Sequence, residues 1–220
     1  MTIKKGIFIV LEGVEGTGKG TLSLFLQEEL KKRGLKIFIT REPGGKDSKV
    51  AEKIREVILN QDNNVLPLTE AYLFAASRAQ HVREVIIPHL NKGEIVISER
   101  YVYASYAYQG KGRGLGIENI KKLNELAIDN VLPDLVIYLD LSPQIGLKRK
   151  FEARQDLDRM DQEEIEFYNR VRNAYLNLVK ENPQLFQLVD ASKPLEEVKK
   201  IVLNLVLDKI KKLNYKYDKN

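Results

Sequence analysis

The sequence predicts an α/β fold in which a five-stranded parallel sheet carries helices on both faces. Three observations support this prediction. Short, almost continuously apolar runs alternate with longer segments that repeat apolar residues at helical spacing. A glycine-rich turn joins the first apolar run to the first helical segment. Arginines stand close after the second and third runs, at the sheet edge where ligands bind in folds of this class.

The alternation also places the individual elements. We predict strands over residues 7–11, 36–40, 94–98, 135–139 and 186–189. Helices are predicted over residues 19–33, 48–60, 67–91, 117–130, 143–150, 162–181 and 195–213. Gly34, Gly93 and Pro133 stand where helices should end. We expect a single domain over residues 1–213, followed by a polar tail, residues 214–220, that frays.

The turn after the first strand has the features of a phosphate-binding P-loop. Its glycines allow backbone N–H groups to surround an anion, and the following helix adds the positive end of its dipole. Lys19 is expected to reach the β- and γ-phosphates of a nucleoside triphosphate. The alternative is a plain glycine-rich turn, which does not explain the lysine at its end. The predicted ATP-binding residues are Gly13, Val14, Glu15, Gly16, Thr17, Gly18, Lys19, Gly20 and Thr21.

One position of this loop departs from the usual Walker pattern. The residue after the lysine is normally Ser or Thr, whose hydroxyl binds Mg²⁺, and here it is Gly20. Mg²⁺ keeps several waters and binds substrate phosphates, so a missing hydroxyl is tolerable. Thr21 is a candidate to help through a water.

Three groups of cations are placed to meet phosphates. Arg41 and Arg100 follow the second and third strands, and a pair of guanidinium groups suits the phosphate of an acceptor molecule. Each of them alone could equally form a surface salt bridge. The segment 148–160 is rich in Lys and Arg between two helices, which is typical of a lid that closes over a triphosphate. The alternative for this segment is a solvated turn.

Composition excludes several other classes of protein. The 220 residues include no cysteine, which excludes disulfides and thiolate metal sites. The net charge of +5 comes from basic residues interspersed with acidic ones, so we expect no nucleic-acid partner. No apolar stretch approaches the ~20 residues that span a bilayer, and residues 1–6 lack a signal-peptide pattern. We therefore expect a cytoplasmic protein without membrane contact.

Residues 6–197 resemble the thymidylate kinases. The resemblance rests on the motifs at residues 8–13, 40–45, 72–81, 99–101 and 107–114, of which Arg-Glu-Pro-Gly-Gly and Ala-Tyr-Gln-Gly are the most specific. It implies the P-loop nucleoside monophosphate kinase fold, with a lid. It also implies an Mg²⁺-dependent enzyme that transfers the γ-phosphoryl group of ATP to dTMP, giving dTDP and ADP in dTTP synthesis.

The resemblance assigns roles to individual residues. Phe74 would stack on thymine and Arg78 would bind the base edge; their spacing of four places them on one helix face. Glu15 would lie near the acceptor sugar or hold waters around Mg²⁺. The alternatives are a core aromatic for Phe74 and a surface charge for Arg78. The implied dTMP-binding residues are Arg41, Phe74, Arg78, Arg100, Ser105, Tyr108 and Gln109, with Arg41 and Arg100 on the phosphate and Tyr108 against the deoxyribose.

The catalytic arginine is expected from the lid. The P-loop carries no arginine, which resembles the bacterial members of the family that supply this residue from the lid. Arg154 is the first candidate and Arg149 the second. Glu99 stands where the family usually has Asp, and would bind Mg²⁺ directly or through water. The implied catalytic residues are Lys19, Arg100, Arg154, Arg149 and Glu15.

Two alternative functions remain at this stage. Another nucleoside monophosphate kinase or a deoxynucleoside kinase would share the P-loop and the arginines but differ at Phe74, Arg78 and Tyr108. A nucleotide-dependent binding switch would need no acceptor clamp. The resemblance also implies a homodimer. Helices 48–60 and 67–91 carry apolar residues that one domain core is not expected to bury completely, namely Val50, Ile54, Val57, Ile58, Leu73, Val85 and Ile86.

Overall fold

A computed structural model describes residues 6–45, 47–152, 158–213 and 215. All five predicted strands are present, each within one residue of its predicted bounds. They are β1 (Ile7–Glu12), β2 (Ile37–Arg41), β3 (Ile95–Glu99), β4 (Leu135–Asp140) and β5 (Phe186–Asp190). The strands pair in parallel in the order β2-β3-β1-β4-β5, which confirms the predicted α/β class.

The α-helices follow the predicted alternation. They are α1 (Lys19–Lys31), α2 (Lys49–Leu59), α3 (Pro67–His81), α4 (Ile87–Asn91), α5 (Val102–Ser105), α6 (Ile117–Ile128), α7 (Pro143–Glu152), α8 (Ile165–Glu181) and α9 (Leu195–Lys212). A short 3₁₀ helix, Arg159–Gln162, precedes α8. No helix within the described ranges combines the length and the apolarity needed to cross a bilayer.

Two helical features differ from the sequence prediction. The predicted helix 67–91 widens into a π-helical turn over Val82–Ile86, between α3 and α4. Pro88 lacks an N–H for the Glu84 carbonyl, and its ring would clash there, so the turn before it opens. No helix was predicted over residues 102–112, where α5 continues into a π helix, Tyr106–Gly112.

The sheet is buried on both faces because its apolar side chains alternate between two cores. In β1, Ile7, Ile9 and Leu11 face the core formed with α1 and α9, while Phe8 and Val10 face the core formed with α3, α5, α6 and α8. This is the arrangement of a doubly wound sheet, and it leaves the carboxyl ends of the strands as the open edge.

Three chain segments meet at that edge. The P-loop follows β1, residues 42–45 follow β2, and Arg100 follows β3. The backbones stay hydrogen-bonded beyond the strands, from Glu42 N–H to Glu99 O at 2.9 Å and from Arg100 N–H to Leu11 O at 2.9 Å. Arg100 itself adopts a left-handed φ of 70°, which turns its side chain back towards the P-loop.

The P-loop is also in direct backbone contact with α7. A Cβ added at Gly16, where φ is +70°, would lie 2.0 Å from the carbonyl oxygen of Gly146. A Cβ at Gly146 would in turn lie 2.2 Å from Glu15 O. Glycine at both positions is therefore what allows the loop and the helix to approach.

The predicted fraying of residues 214–220 falls largely outside the described residues. Tyr215 is described, and its hydroxyl donates a hydrogen bond to the carbonyl of Gly93.

Candidate active site

A cavity of about 350 Å³ opens at the carboxyl ends of β1, β2 and β3. This volume lies within the range of small-molecule sites. Eight of the predicted site residues meet there. Those that line the cavity are Glu15, Lys19, Arg41, Phe74, Glu99, Arg100, Tyr108 and Gln109.

The P-loop wraps around the side chain of Lys19. Gly18 adopts a left-handed conformation, with φ of 84°, and α1 begins at Lys19. The Nζ atom donates to the carbonyls of Gly13 and Val14 at 3.0 and 2.9 Å. Burial lowers the pKa of Lys19 to about 8, so the amine stays mostly protonated at neutral pH. The lysine is thus held as a cation beside the backbone N–H groups of the loop.

Arg100 forms a bridge between the P-loop and the cavity. Its Nη1 donates to Gly13 O at 2.8 Å, and its Nη2 pairs with the Glu15 carboxylate. The guanidinium lies 5.0 Å from the centre of the Tyr108 ring. Burial would raise the pKa of Glu15, but the charges of Arg100 and Lys19 outweigh it and lower that pKa to about 2. Glu15 is therefore an anion that fixes the arginine.

Glu12, which was not among the predicted site residues, stabilises the turn that follows β3. Its fully buried carboxyl accepts a hydrogen bond from the Tyr101 N–H at 2.9 Å and from the Tyr175 hydroxyl at 2.7 Å. Burial raises its pKa to about 7 in spite of nearby Arg100. The available signal was an acidic residue at the end of an otherwise apolar strand.

Three buried polar atoms in the cavity wall have no hydrogen-bond partner within the described part of the chain. They are Arg41 Nε, Tyr108 OH and Gln109 Oε1, and no other described side chain has such an atom. Buried polar groups in native proteins are nearly always paired. All three belong to residues that line the cavity and that were predicted to bind the acceptor.

The segment after β2 is held by two residues of α2 that the sequence analysis missed. Glu52 accepts from Arg41 Nη2 at 3.0 and 2.9 Å and from the Gly45 N–H at 2.7 Å. Arg55 donates to Pro43 O at 2.8 Å and itself lines the cavity, adding a second cation beside Arg41. The spacing of three between Glu52 and Arg55, which puts both on one helix face, was the signal available.

Arg78 and Ser105 lie directly behind the cavity wall and do not line it. Arg78 is 1% exposed, so it is not a surface charge. It donates to Glu42 at 2.8 Å, to Ser105 Oγ at 3.1 Å and to the Asn124 side chain at 2.5 Å. Its Nη2 donates to the carbonyl of Tyr101 at 3.3 Å, so all three guanidinium nitrogens donate to protein groups.

Glu99, the predicted Mg²⁺ ligand, has a hydrogen-bond partner in α1. Ser23 Oγ donates to Glu99 at 2.6 Å, whereas Thr21 is exposed. A Cβ at Gly20 would lie 3.7 Å from both Glu99 carboxylate oxygens, so the side chain that Gly20 lacks would fall beside them. The described residues contain no cluster of three or more candidate metal ligands. Mg²⁺ in proteins binds with one or two carboxylates, waters and substrate phosphates, and Glu99 is the carboxylate at this position.

The lid segment is described only in part. Arg154 lies outside the described residues. Arg149 donates to the carbonyl of Ala191 at 3.0 Å, beyond the end of β5, and does not line the cavity. Lys150 does line it, and its Nζ pairs with Asp161 at 2.7 and 2.5 Å. Lys150 belongs to the predicted lid segment but was not among the predicted catalytic residues.

A P-loop at the end of the first strand, with cations converging from the next two strands, defines a protein of the P-loop phosphotransferase class. Known proteins narrow this class. The family model described as "Thymidylate kinase" matches residues 11–202. The chain is 44% identical to the thymidylate kinase of Thermoanaerobacter sp. over 202 residues, which cover 92% of this chain and 98% of that protein. It is 44% identical to the thymidylate kinase of Bacillus pumilus over 210 residues, covering 94% and 98%.

A solved structure gives the same result. The crystal structure of the thymidylate kinase of Ehrlichia chaffeensis superposes with a TM-score of 0.73 at 28% identity, and the match covers 91% of this chain and 98% of that one. The chain belongs to the thymidylate kinase family.

Proposed function

We propose that this protein is an ATP-dependent dTMP kinase, which transfers the γ-phosphoryl group of ATP to dTMP and so yields dTDP and ADP on the way to dTTP. The observation that carries the proposal is the set of three unpartnered polar atoms in one cavity. Arg41 Nε is suited to the acceptor phosphate, the Tyr108 hydroxyl to the sugar, and Gln109 Oε1 to an N–H of the base.

Phosphoryl transfer needs positioning and charge rather than covalent chemistry from the protein. The P-loop amides and Lys19 hold the donor phosphates, and Arg100 lies between the loop and the acceptor cavity. Mg²⁺ would lie beside Glu99, which Ser23 orients, and when bound it neutralises charge on the transferred phosphoryl group. Because Glu15 fixes Arg100 in advance, the arginine needs little reorganisation when charge develops in the transition state.

Tyr108 gives the cavity a rigid wall on the sugar side. The side chain is buried, and its ring packs 6.0 Å from Phe167 and 6.5 Å from Tyr175, measured between ring centroids. A wall of this kind has little freedom to move aside for an additional 2′-hydroxyl. We therefore expect the acceptor to be a deoxynucleotide.

A coupled kinase assay with dTMP, dUMP, UMP, AMP and thymidine tests this proposal. The highest kcat/KM is expected for dTMP, and Lys19→Ala is expected to abolish turnover in a folded protein. The matched control is Lys31→Ala at the exposed end of the same helix. A preference for AMP or thymidine would favour another kinase. Nucleotide binding without any transfer would favour a binding switch.

We further propose a cytoplasmic homodimer built on α2, α3 and α6. Some of the apolar residues that one core was not expected to bury completely are in fact buried, namely Ile58, Val85 and Ile86. Val50 and Val57 remain exposed on α2. Leu68 and Tyr72 on α3 and Leu126 on α6 are also exposed, and α3 packs against both α2 and α6. Exposed apolar side chains on neighbouring helices favour a contact surface there, and a two-fold axis would use the same surface on both subunits. A cytoplasmic location would supply the ATP.

A further inference from the structure

Glu70, in the first turn of α3, is a fully buried carboxylate that contacts the base-reading side of the cavity through Gln109. Gln109 Nε2 donates to Glu70 Oε1 at 2.9 Å. Arg113 donates to both carboxylate oxygens at 3.1 and 3.0 Å, and Arg159 donates to Oε2 at 2.6 Å. None of the roles assigned so far involves Glu70.

These donors keep Glu70 ionised. Burial would raise its pKa, but the hydrogen bonds from Arg113, Gln109 and Arg159 outweigh that effect and lower the pKa below its usual value. An ionised carboxylate can only accept hydrogen bonds. A group facing it must therefore donate.

This restriction determines the orientation of the Gln109 side-chain amide. If the amide were turned by 180°, its carbonyl oxygen would face the Glu70 carboxylate, two acceptors in contact inside the protein. Nε2 must therefore face Glu70, and Oε1 is the atom left for the cavity that Gln109 lines. Oε1 is also the Gln109 atom that lacks a partner among the described residues.

We propose that Glu70 is a specificity-positioning residue, which holds Gln109 with its carbonyl oxygen towards the base and thereby selects pyrimidines with an N–H at ring position 3. This inference rests on the proposed function. Thymine and uracil carry that N–H, whereas neutral cytosine has a bare ring nitrogen there, which would meet Gln109 as a second acceptor. An unpaired buried acceptor of this kind costs about 10- to 100-fold in discrimination.

The substitution Glu70→Gln gives a directional test. Two guanidinium donors face Oε2, at 3.0 and 2.6 Å, whereas one faces Oε1, at 3.1 Å. The carbonyl oxygen of the new amide therefore belongs at Oε2, and its NH₂ group faces Gln109. Gln109 would then turn its oxygen towards that donor and its own NH₂ towards the base. We expect the ratio of kcat/KM for dTMP to that for dCMP to fall at least tenfold, with an increased absolute kcat/KM for dCMP.

Two further variants separate positioning from general damage. Glu163→Gln removes the other carboxylate partner of Arg113, at 2.6 Å, without contacting Gln109, and should leave the ratio unchanged. The double exchange Glu70→Gln/Gln109→Glu keeps the charge of the cluster and restores an acceptor-only group towards the base. Its ratio should return to within about threefold of that of the unaltered protein, a difference below 1 kcal/mol.

The outcomes distinguish this inference from the proposed function. If the unaltered protein prefers an acceptor other than dTMP, the proposed function is wrong. If it prefers dTMP but folded Glu70→Gln keeps the unaltered ratio, Glu70 does not position Gln109. Should Glu70→Gln fail to fold, the double exchange decides: a retained preference supports the inference, and a lost preference overturns it. If Glu70 had only a structural role, Glu70→Gln would lower kcat/KM for dTMP and for dCMP by the same factor.

Discussion

At the scale of single residues, the buried carboxyl of Glu12 couples the stability of the protein to pH. Its pKa rises from 4.5 to about 7 in the fold, because burial disfavours the carboxylate. Between these values the folded state holds a proton that the unfolded state has lost. Raising the pH through this window therefore lowers the free energy of unfolding.

Glu12→Gln removes this titration. We expect the free energy of unfolding, measured in urea at pH 4.5, 6 and 8, to increase for the variant relative to the unaltered protein as the pH rises. The increase should be roughly 3 kcal/mol across the window. The hydrogen bonds from Tyr101 and Tyr175 are affected at every pH, so the comparison uses only the change with pH. Parallel pH profiles of the two proteins would contradict the burial of an ionisable Glu12.

Phe74 provides a second test at this scale. Stacking of a base on an aromatic ring is worth about 1–3 kcal/mol, so Phe74→Ala should weaken dTMP binding by that amount. Phe74 lines the cavity and is only half-buried, which leaves the ring free to contact a ligand. Calorimetric titrations with dTMP and with ATP measure the two affinities separately. An equal loss for ATP would mean that the ring supports the whole site rather than the base.

The residues that sequence reasoning found and those it missed differ in a physical way. Arg41 ends β2, Arg100 follows β3, and Lys19 ends the loop that follows β1, so their position along the chain places them at the ligand edge. Glu12 and Glu70 act through partners far along the chain: Glu12 accepts from Tyr175 and Glu70 from Arg159. Such contacts depend on how helices pack, which local spacing does not encode.

At the scale of elements, α7 and the segment after it carry the candidate lid cations. Transfer spreads charge over the phosphoryl oxygens, and a cation near them stabilises that state more than the ground state. Arg154→Ala should lower the single-turnover rate at least about tenfold, or about 1.4 kcal/mol, with little effect on nucleotide affinity. Arg149→Ala should cost less, because its guanidinium donates to the carbonyl of Ala191.

Lys148→Ala is the matched control for both variants, since the Lys148 side chain is 74% exposed on the same helix. If the single-turnover rate falls less than tenfold in both arginine variants, the lid-arginine mechanism does not apply to this chain. In that case Lys150, which lines the cavity, becomes the residue to substitute next.

The strands were predictable because each is a short, largely apolar run bounded by helices, and the three central strands, β1, β3 and β4, are buried on both faces. The helical stretch over residues 102–112 was not predictable. Its tyrosines and glycines are weak helix formers, and its second half is π-helical. Packing holds it in place: a Cβ at Gly112 would lie 2.6 Å from the ring of Phe167 in α8. Only the tertiary contact explains why a glycine belongs there.

At the scale of the whole molecule, the proposed dimer predicts that the exposed surface of α2, α3 and α6 forms the contact between the subunits. Leu126 is 83% exposed, and a charge there would be buried without a partner in a two-fold contact. Sedimentation at micromolar concentration should show a dimer for the unaltered protein and a shift to monomer for Leu126→Asp. Leu188→Asp on β5, where the side chain is 48% exposed, is the control and should remain dimeric. A purely monomeric unaltered protein would contradict the proposal.

The contact between Gly16 and Gly146 has a mechanical consequence. Side chains that pack against each other can change rotamer and absorb a displacement, but here two backbones meet with no side chain between them. If the P-loop shifted when Lys19 left the carbonyls of Gly13 and Val14, we would therefore expect α7 to shift with it. Lys150 lies on α7 and lines the cavity, so such a shift would also change the position of this cation.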